Sequence, residues 1–234
     1  MTTLTKFKIY GERCSGTNYL ENVILENFKV KLSNDHGIKH FFGFDEEQFA
    51  TADDTLFICI VRDPIKWINS FYRELHQLPL KYIPMNEEEK KNKFLNDEFW
   101  SFYDTNGNKN VDITKERLHD RNIYTHNRYK NIFELRFTKL KYLLEDLPKK
   151  VKNYIFIRYE DLYGKFNRVI RQIKRKGLVV KDPATFPKNV LIYKKKKDKL
   201  FDPTEKVDTI SAEEIKNNKN WEKYNKYDKQ LGYI

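Results

Sequence analysis

Cysteine is nearly absent from this chain of 234 residues, which has only Cys14 and Cys59. So small a number excludes a disulfide framework and favours a reducing setting. Long hydrophobic runs are missing as well. No segment approaches the roughly 20 apolar residues that cross a bilayer, and the opening MTTLTKFKIYG has no apolar stretch of signal-peptide length. A soluble, cytoplasmic chain is expected. The five histidines, at positions 36, 40, 76, 119 and 126, show no zinc-ligand spacing with one another or with the cysteines, so no metal is expected. There is no internal repeat.

Acidic residues are the minority among the charges, 34 against 45 Lys and Arg, for a net +11. A surplus of that size suggests an anionic partner, a nucleotide, a sulfated or phosphorylated ligand, a nucleic acid or an acidic surface, with ordinary solvated lysines as the plainer alternative. The charged fraction of 34% is offset by 39% hydrophobic and 15% aromatic residues, enough large apolar side chains to order a core. Composition shifts nowhere abruptly, and one domain over 1–234 is expected.

Periodicity orders the chain. KFKIYG (6–11) reads as a strand, and GTNYLENVILENF (16–28) as a helix with Leu20, Val23 and Ile24 on one face. GIKHFF (37–42) reads as a second strand. TLFICIVRD (55–63) is apolar almost throughout, as a strand covered on both faces would be, and Asp63-Pro64 opens a helix through WINSFYREL. Residues 79–128 are polar and irregular, an insertion beside the core. Helical spacing returns over 128–147, a strand follows at 153–162, and a basic amphipathic helix through Val169, Ile170 and Ile173 ends near Gly177. From about 190 to 234 the chain is a basic segment containing KKKKDK and then a short helix with an aromatic terminus. Alternating strands and helices predict an α/β domain of the three-layer, P-loop-like kind, a central parallel sheet flanked by helices.

GERCSGTNYL (11–20) sits at a strand-to-helix junction. Gly11 and Gly16 have the G-x4-G spacing of a phosphate-binding loop, in which backbone N–H groups and the positive helix end face an anion. A nucleoside triphosphate with Mg²⁺ needs Lys and then Ser or Thr after the second glycine. Here those places hold Thr17 and Asn18. The loop therefore suits a phosphate handled without a metal, and a tight turn without a ligand is the plainer alternative.

GERCSGTNYL, VRDPIKWINSFYRE (61–74) and IRYEDL (157–162) together resemble the sulfotransferases that use 3′-phosphoadenosine-5′-phosphosulfate (PAPS). The resemblance covers residues 6–75 and 128–177. It implies that Arg13, Cys14, Ser15, Gly16, Thr17 and Asn18 form the loop that grips the 5′-phosphosulfate, that Arg62 and Ser70 grip the 3′-phosphate, and that adenosine 3′,5′-bisphosphate is the product. It also implies that Lys39 and His40 reach the reaction centre, with His40 as the base, and that Lys194, Lys195, Lys196 and Lys197 close the donor site, with Arg128 and Arg136 as further candidates. The family commonly has Lys or Arg where this chain has Cys14, so Arg13 or Lys39 is left as the catalytic cation. Glu12 is a second candidate base. The acceptor expected is a hydroxyl, or an amine, on a small molecule or a carbohydrate, in a pocket between the strand ends and the insertion for which Arg73, His76 and Arg121 are candidate lining residues. A P-loop kinase or hydrolase and a basic nucleic-acid-binding module are the alternatives, and no nucleic acid is expected as partner.

Overall fold

The computed structural model describes residues 3–44, 46–75, 77–103, 114–190 and 207–234. In chain order its elements are β1 (Lys6–Gly11), α1 (Thr17–Asn27), β2 (Lys31–Leu32), β3 (Thr55–Val61), α2 (Pro64–Arg73), α3 (Glu87–Asn96), α4 (Ile132–Lys141), α5 (Leu147–Lys150), β4 (Tyr154–Arg158), α6 (Tyr159–Gly164), α7 (Phe166–Lys174), α8 (Ala212–Lys216), α9 (Trp221–Tyr224) and α10 (Lys226–Gln230). Two compact units, each discontinuous in sequence, divide the chain. The first comprises Met1–Asp63 and Leu143–Val207, the second Pro64–Tyr142 and Asp208–Ile234.

The first unit carries the sheet, four parallel strands in the order β2-β1-β3-β4. Side chains alternate across it. Phe7 and Ile9 of β1 pair with Leu56 and Ile58 of β3, and Ile58 with Ile155 of β4, so one face is a continuous aliphatic surface. Leu20, Val23 and Ile24 of α1 and Val169, Ile170 and Ile173 of α7 close over that face in one buried cluster. The opposite face is aromatic: Tyr10 packs on Phe42 and Phe57, and Phe49 lies edge-on to Phe57. The chain thus has the expected α/β architecture, a central parallel sheet flanked by helices.

Three local expectations change. Residues 37–42 form a turn, not a strand. His36 and Gly37 have φ of 68° and 74°, left-handed values that break an extended chain, and only an isolated bridge joins Ile38 to Phe41. The sheet's edge is instead the two-residue β2. The strand expected over 153–162 ends at Arg158, where α6 begins. The helix expected over 128–147 is interrupted: after α4 a π-helical turn spans Tyr142–Asp146. Pro148 follows, and its missing N–H removes the bond to the carbonyl four residues back.

In the second unit α2 buries Trp67, Ile68, Phe71 and Tyr72. The apolar residues of 79–128, too irregularly spaced to suggest a face, supply part of its core, with Phe94 and Phe99 at 5.9 and 5.7 Å from the Phe71 ring. The C-terminal aromatics dock on α4, Trp221 against Phe133 and Tyr227 against Phe137. Arg136 is buried under this layer, paired with Asp228 at 2.6 Å and lying 5.0 Å from the Trp67 ring. No helix among the described residues is long and apolar enough to cross a membrane.

Candidate functional site

In a sheet ordered β2-β1-β3-β4 the connections leave in opposite directions on either side of the β1/β3 pair. Open α/β sheets bind ligands outside the carboxyl ends of the strands at such a switch point. Gly11 ends β1 opposite Ile60, Arg62 immediately follows β3, and Val61 is opposite Arg158, the last residue of β4. Loop 12–16, Arg62 and Tyr159 therefore emerge side by side.

The loop's shape follows from its glycines. A Cβ on Gly11 would sit 2.6 Å from the Ile60 carbonyl oxygen and 2.7 Å from Ser15 Oγ. Gly16, the N-cap of α1, has φ of 91°, a left-handed value that favours glycine, and a Cβ there would fall 2.4 Å from the Tyr159 ring. Cys14 is also left-handed, at φ 63°. Inside the loop, Ser15 is fully buried and donates both its N–H and its hydroxyl to the Glu12 carbonyl, at 3.2 and 2.6 Å. No side chain caps α1, and Leu20 N–H is the first to bond back, to the Gly16 carbonyl. The N–H groups of Thr17 and Asn18 have no acceptor within the helix, the arrangement that makes a helix start an anion site.

Arg62 is half-buried against this cradle. Its Nη1 donates to the Cys14 carbonyl at 3.3 Å and its guanidinium lies 4.7 Å from the Tyr159 ring centroid. Burial pushes the Tyr159 hydroxyl up to about 12, against the pull of Arg62, so the ring stays neutral at physiological pH. Glu160 Oε1 accepts from the Asp63 N–H at 2.8 Å and pins the chain leaving β3.

The 37–42 turn brings Lys39 and His40 to the same place. Gly11 N–H donates to the Lys39 carbonyl, and His40 Nδ1 is 2.8 Å from the Gly11 carbonyl. A carbonyl only accepts, so Nδ1 carries the proton, and in the neutral ring Nε2 is the basic nitrogen. Lys39 Nζ bonds Asn18 Oδ1 and lies 3.4 Å from Glu21 Oε2. Arg13 is 8% exposed, its guanidinium 5.3 Å from the Phe41 ring, and Glu12 is fully buried.

The structure therefore gathers Glu12, Arg13, Cys14, Ser15, Gly16, Thr17, Asn18, Lys39, His40 and Arg62 in the first unit. Ser70 is half-buried on α2, in the second unit. Lys194, Lys195, Lys196 and Lys197, together with His76, lie outside the described residues. Arg136, suggested for the donor site, is instead committed to the buried pair with Asp228, and Arg128 to pairs with Glu116 and Glu98. Tyr19 is buried and donates to Asn189 Oδ1 at 2.6 Å. Tyr159, within IRYEDL, and Glu21 join the loop as well, contacting Arg62 and Lys39, a part not expected of either. Glu21 is four residues after Thr17 and three after Asn18, the spacing that shares a helix face. Among the described residues no group of three or more His, Cys, Asp and Glu has the arrangement of metal ligands.

No protein-family model and no curated protein matches the chain. A solved structure does. The chain is similar to mouse sulfotransferase SULT7A1 complexed with PAP, at 13% identity and a TM-score of 0.40, over 77% of this chain. It spans 61% of that protein's length. A likeness this loose assigns no residue a role.

Proposed function

We propose that the chain is a PAPS-dependent sulfotransferase, acting on a hydroxyl or amine acceptor in the cytoplasm without a metal. The observation that carries this reading is the meeting of two anion-binding devices at one switch point, the start of α1 behind Gly16 and the Arg62 fork 3.3 Å from the loop. Thr17 and Asn18 stand where a Mg²⁺-triphosphate loop needs Lys and Ser or Thr, which favours a donor bound by backbone amides. The residues fit such a donor: at Gly11 and Gly16 a Cβ would strike the Ile60 carbonyl and the Tyr159 ring, so glycine lets the loop fold tightly onto the start of α1, where the Thr17 and Asn18 N–H groups are left for phosphate oxygens.

When bound, PAPS supplies the sulfuryl group, whose bond to the 5′-phosphate breaks as one to the acceptor forms, the electron pair leaving with the phosphate. The chain's own part is positioning and charge. Thr17 and Asn18 N–H hold the 5′ end against the positive end of α1, while the planar Arg62 fork matches paired phosphate oxygens at the 3′ position. Its bond to Cys14 and its contact with Tyr159 set the orientation of that fork. His40, fixed through Nδ1 to Gly11, takes the acceptor proton at Nε2. Lys39, one residue away, and Arg13 are the cations that offset charge on the departing phosphate.

Titration calorimetry with adenosine 3′,5′-bisphosphate and with ATP–Mg²⁺ tests the reading. The bisphosphate is expected to bind more tightly, and Arg62→Ala to weaken it by about 1.5–3 kcal/mol, as for hydrogen bonds to charged groups. Equal or tighter binding of ATP–Mg²⁺ would replace the reading with that of a nucleotide kinase or hydrolase.

A further inference from the structure

A groove of about 540 Å³ opens beside the cradle, within the first unit. It exists because β2 stops early. Odd-numbered residues of β1 turn their peptide groups toward β2: the Thr5 and Phe7 carbonyls accept from Lys31 and Ser33 N–H. β2 ends at Leu32, and the next bond on that side joins Gly11 N–H to the Lys39 carbonyl. By the strand's alternation, the peptide groups of Ile9 between these bonds face the groove. One residue's donor and acceptor are too short a stretch for an added β-strand.

The remaining wall is amides and a hydroxyl: Asn18, Asn22, Asn34 and Ser33 line it. Its charges are matched, since Lys39 faces Glu21 at 3.4 Å. The other lining cation, Lys8, is buried with its ammonium donating to the carbonyls of Ser33, Asp35 and Gly37, which holds the outer wall in place. Leu32 and Ile38 add a narrow apolar rail, and among the described residues no aromatic side chain lines the groove.

Resting on the sulfotransferase reading, we infer that this groove is the acceptor site and that the acceptor is a neutral, hydroxyl-rich molecule of the saccharide class. Groups that both donate and accept suit hydroxyls, which do the same. An anionic acceptor would meet Glu21 and the carbonyl oxygens, a cationic one Lys39. A planar phenol would find no ring to stack on among the described lining residues. The volume lies in the range of about 300–1,000 Å³ typical of ligand sites, and Asn18, the second residue of α1, belongs to both groove and cradle, so a hydroxyl bound there stands next to the donor.

Saturation-transfer NMR on the full chain tests this with lactose, cellobiose, chitobiose and trehalose as one set of probes and 4-nitrophenol as another, each with and without adenosine 3′,5′-bisphosphate. At least one disaccharide is expected to bind, with affinity about five- to tenfold weaker in Asn22→Leu and Asn34→Leu, the cost of one or two neutral hydrogen bonds. Bisphosphate affinity is expected to be unchanged in both variants, which also shows that they fold. Silence from all four disaccharides, preference for 4-nitrophenol, or disaccharide binding indifferent to both substitutions would overturn the inference. Failure of the bisphosphate to bind wild type would instead overturn the donor reading, while variant-sensitive disaccharide binding would still place a saccharide in the groove.

Discussion

Replacing Gly16 by alanine probes the cradle where it is most constrained. Two costs add. A left-handed backbone with a Cβ costs about 1–2 kcal/mol, and Gly16 sits at φ 91°. The new methyl would also fall 2.4 and 2.6 Å from two carbons of the Tyr159 ring. That ring is 8% exposed and is flanked by Arg62 at 4.7 Å and Tyr163 at 5.5 Å, so it yields only by moving its neighbours, a small-to-large change worth about 1–3 kcal/mol. The sum is about 2–5 kcal/mol.

Two other glycines separate the terms. Gly177 shares the positive φ, at 107°, but a Cβ there would meet only Leu4 at an ordinary 3.6 Å, so Gly177→Ala should show the backbone cost alone, about 1–2 kcal/mol. Gly164 has neither the positive φ nor any atom within 4 Å of a Cβ, and Gly164→Ala should be neutral or stabilising by up to about 1 kcal/mol. Urea unfolding followed by circular dichroism reads all three as midpoint shifts at constant slope. Because Tyr159 also seats Arg62, Gly16→Ala should weaken bisphosphate binding and the other two should not. A Gly16→Ala protein no less stable than Gly177→Ala, binding the bisphosphate as wild type does, would refute the reasoning that Tyr159 and the loop form one packed unit.

His40→Ala is expected to abolish sulfate transfer while leaving bisphosphate affinity within about twofold, checked by calorimetry beside a transfer assay; unchanged turnover would remove His40 as the base. Arg136→Ala should destabilise the protein by about 3–5 kcal/mol, the cost of leaving a buried carboxylate, here Asp228, without its partner; a loss under 1 kcal/mol would show that water reaches the pair. Hydrogen bonds from Arg121, and then Arg128, hold the Glu116 carboxyl down at about 2, below its ordinary 4.5. A depressed carboxylate contributes stability that is fully present above its unfolded value and lost as pH falls through the folded one. Acid unfolding of wild type should therefore steepen between about pH 4.5 and 2, and Glu116→Gln should flatten that slope, as a pH series of urea midpoints would show.

Several parts of the site were legible because local rules govern them. The junction of β1, loop and α1 follows from an apolar run, two glycines and a 3.6-residue period, and β3 followed by Pro64 from a buried-strand composition and a helix-start signal. Where short-range signals conflict, expectation and structure part. GIKHFF has strand-forming residues, yet His36 and Gly37 adopt left-handed conformations and the segment turns back, which is how His40 comes to bond Gly11. IRYEDL looked like uninterrupted strand because nothing within it marks the point, Arg158, at which the sheet ends and Tyr159 must pack under Gly16.

By itself the sequence picked out the candidate site residues, because glycine spacing, an arginine at a strand end and helical period are properties of neighbours along the chain. Only the tertiary structure decided which of them meet. That β1 lies beside β3 and not at an edge, that Arg62 reaches a carbonyl 48 residues away, and that Asp228 closes on Arg136 across 92 residues all depend on contacts between distant segments. Such contacts are selected by the burial of whole faces, and no local pattern encodes which face will find which.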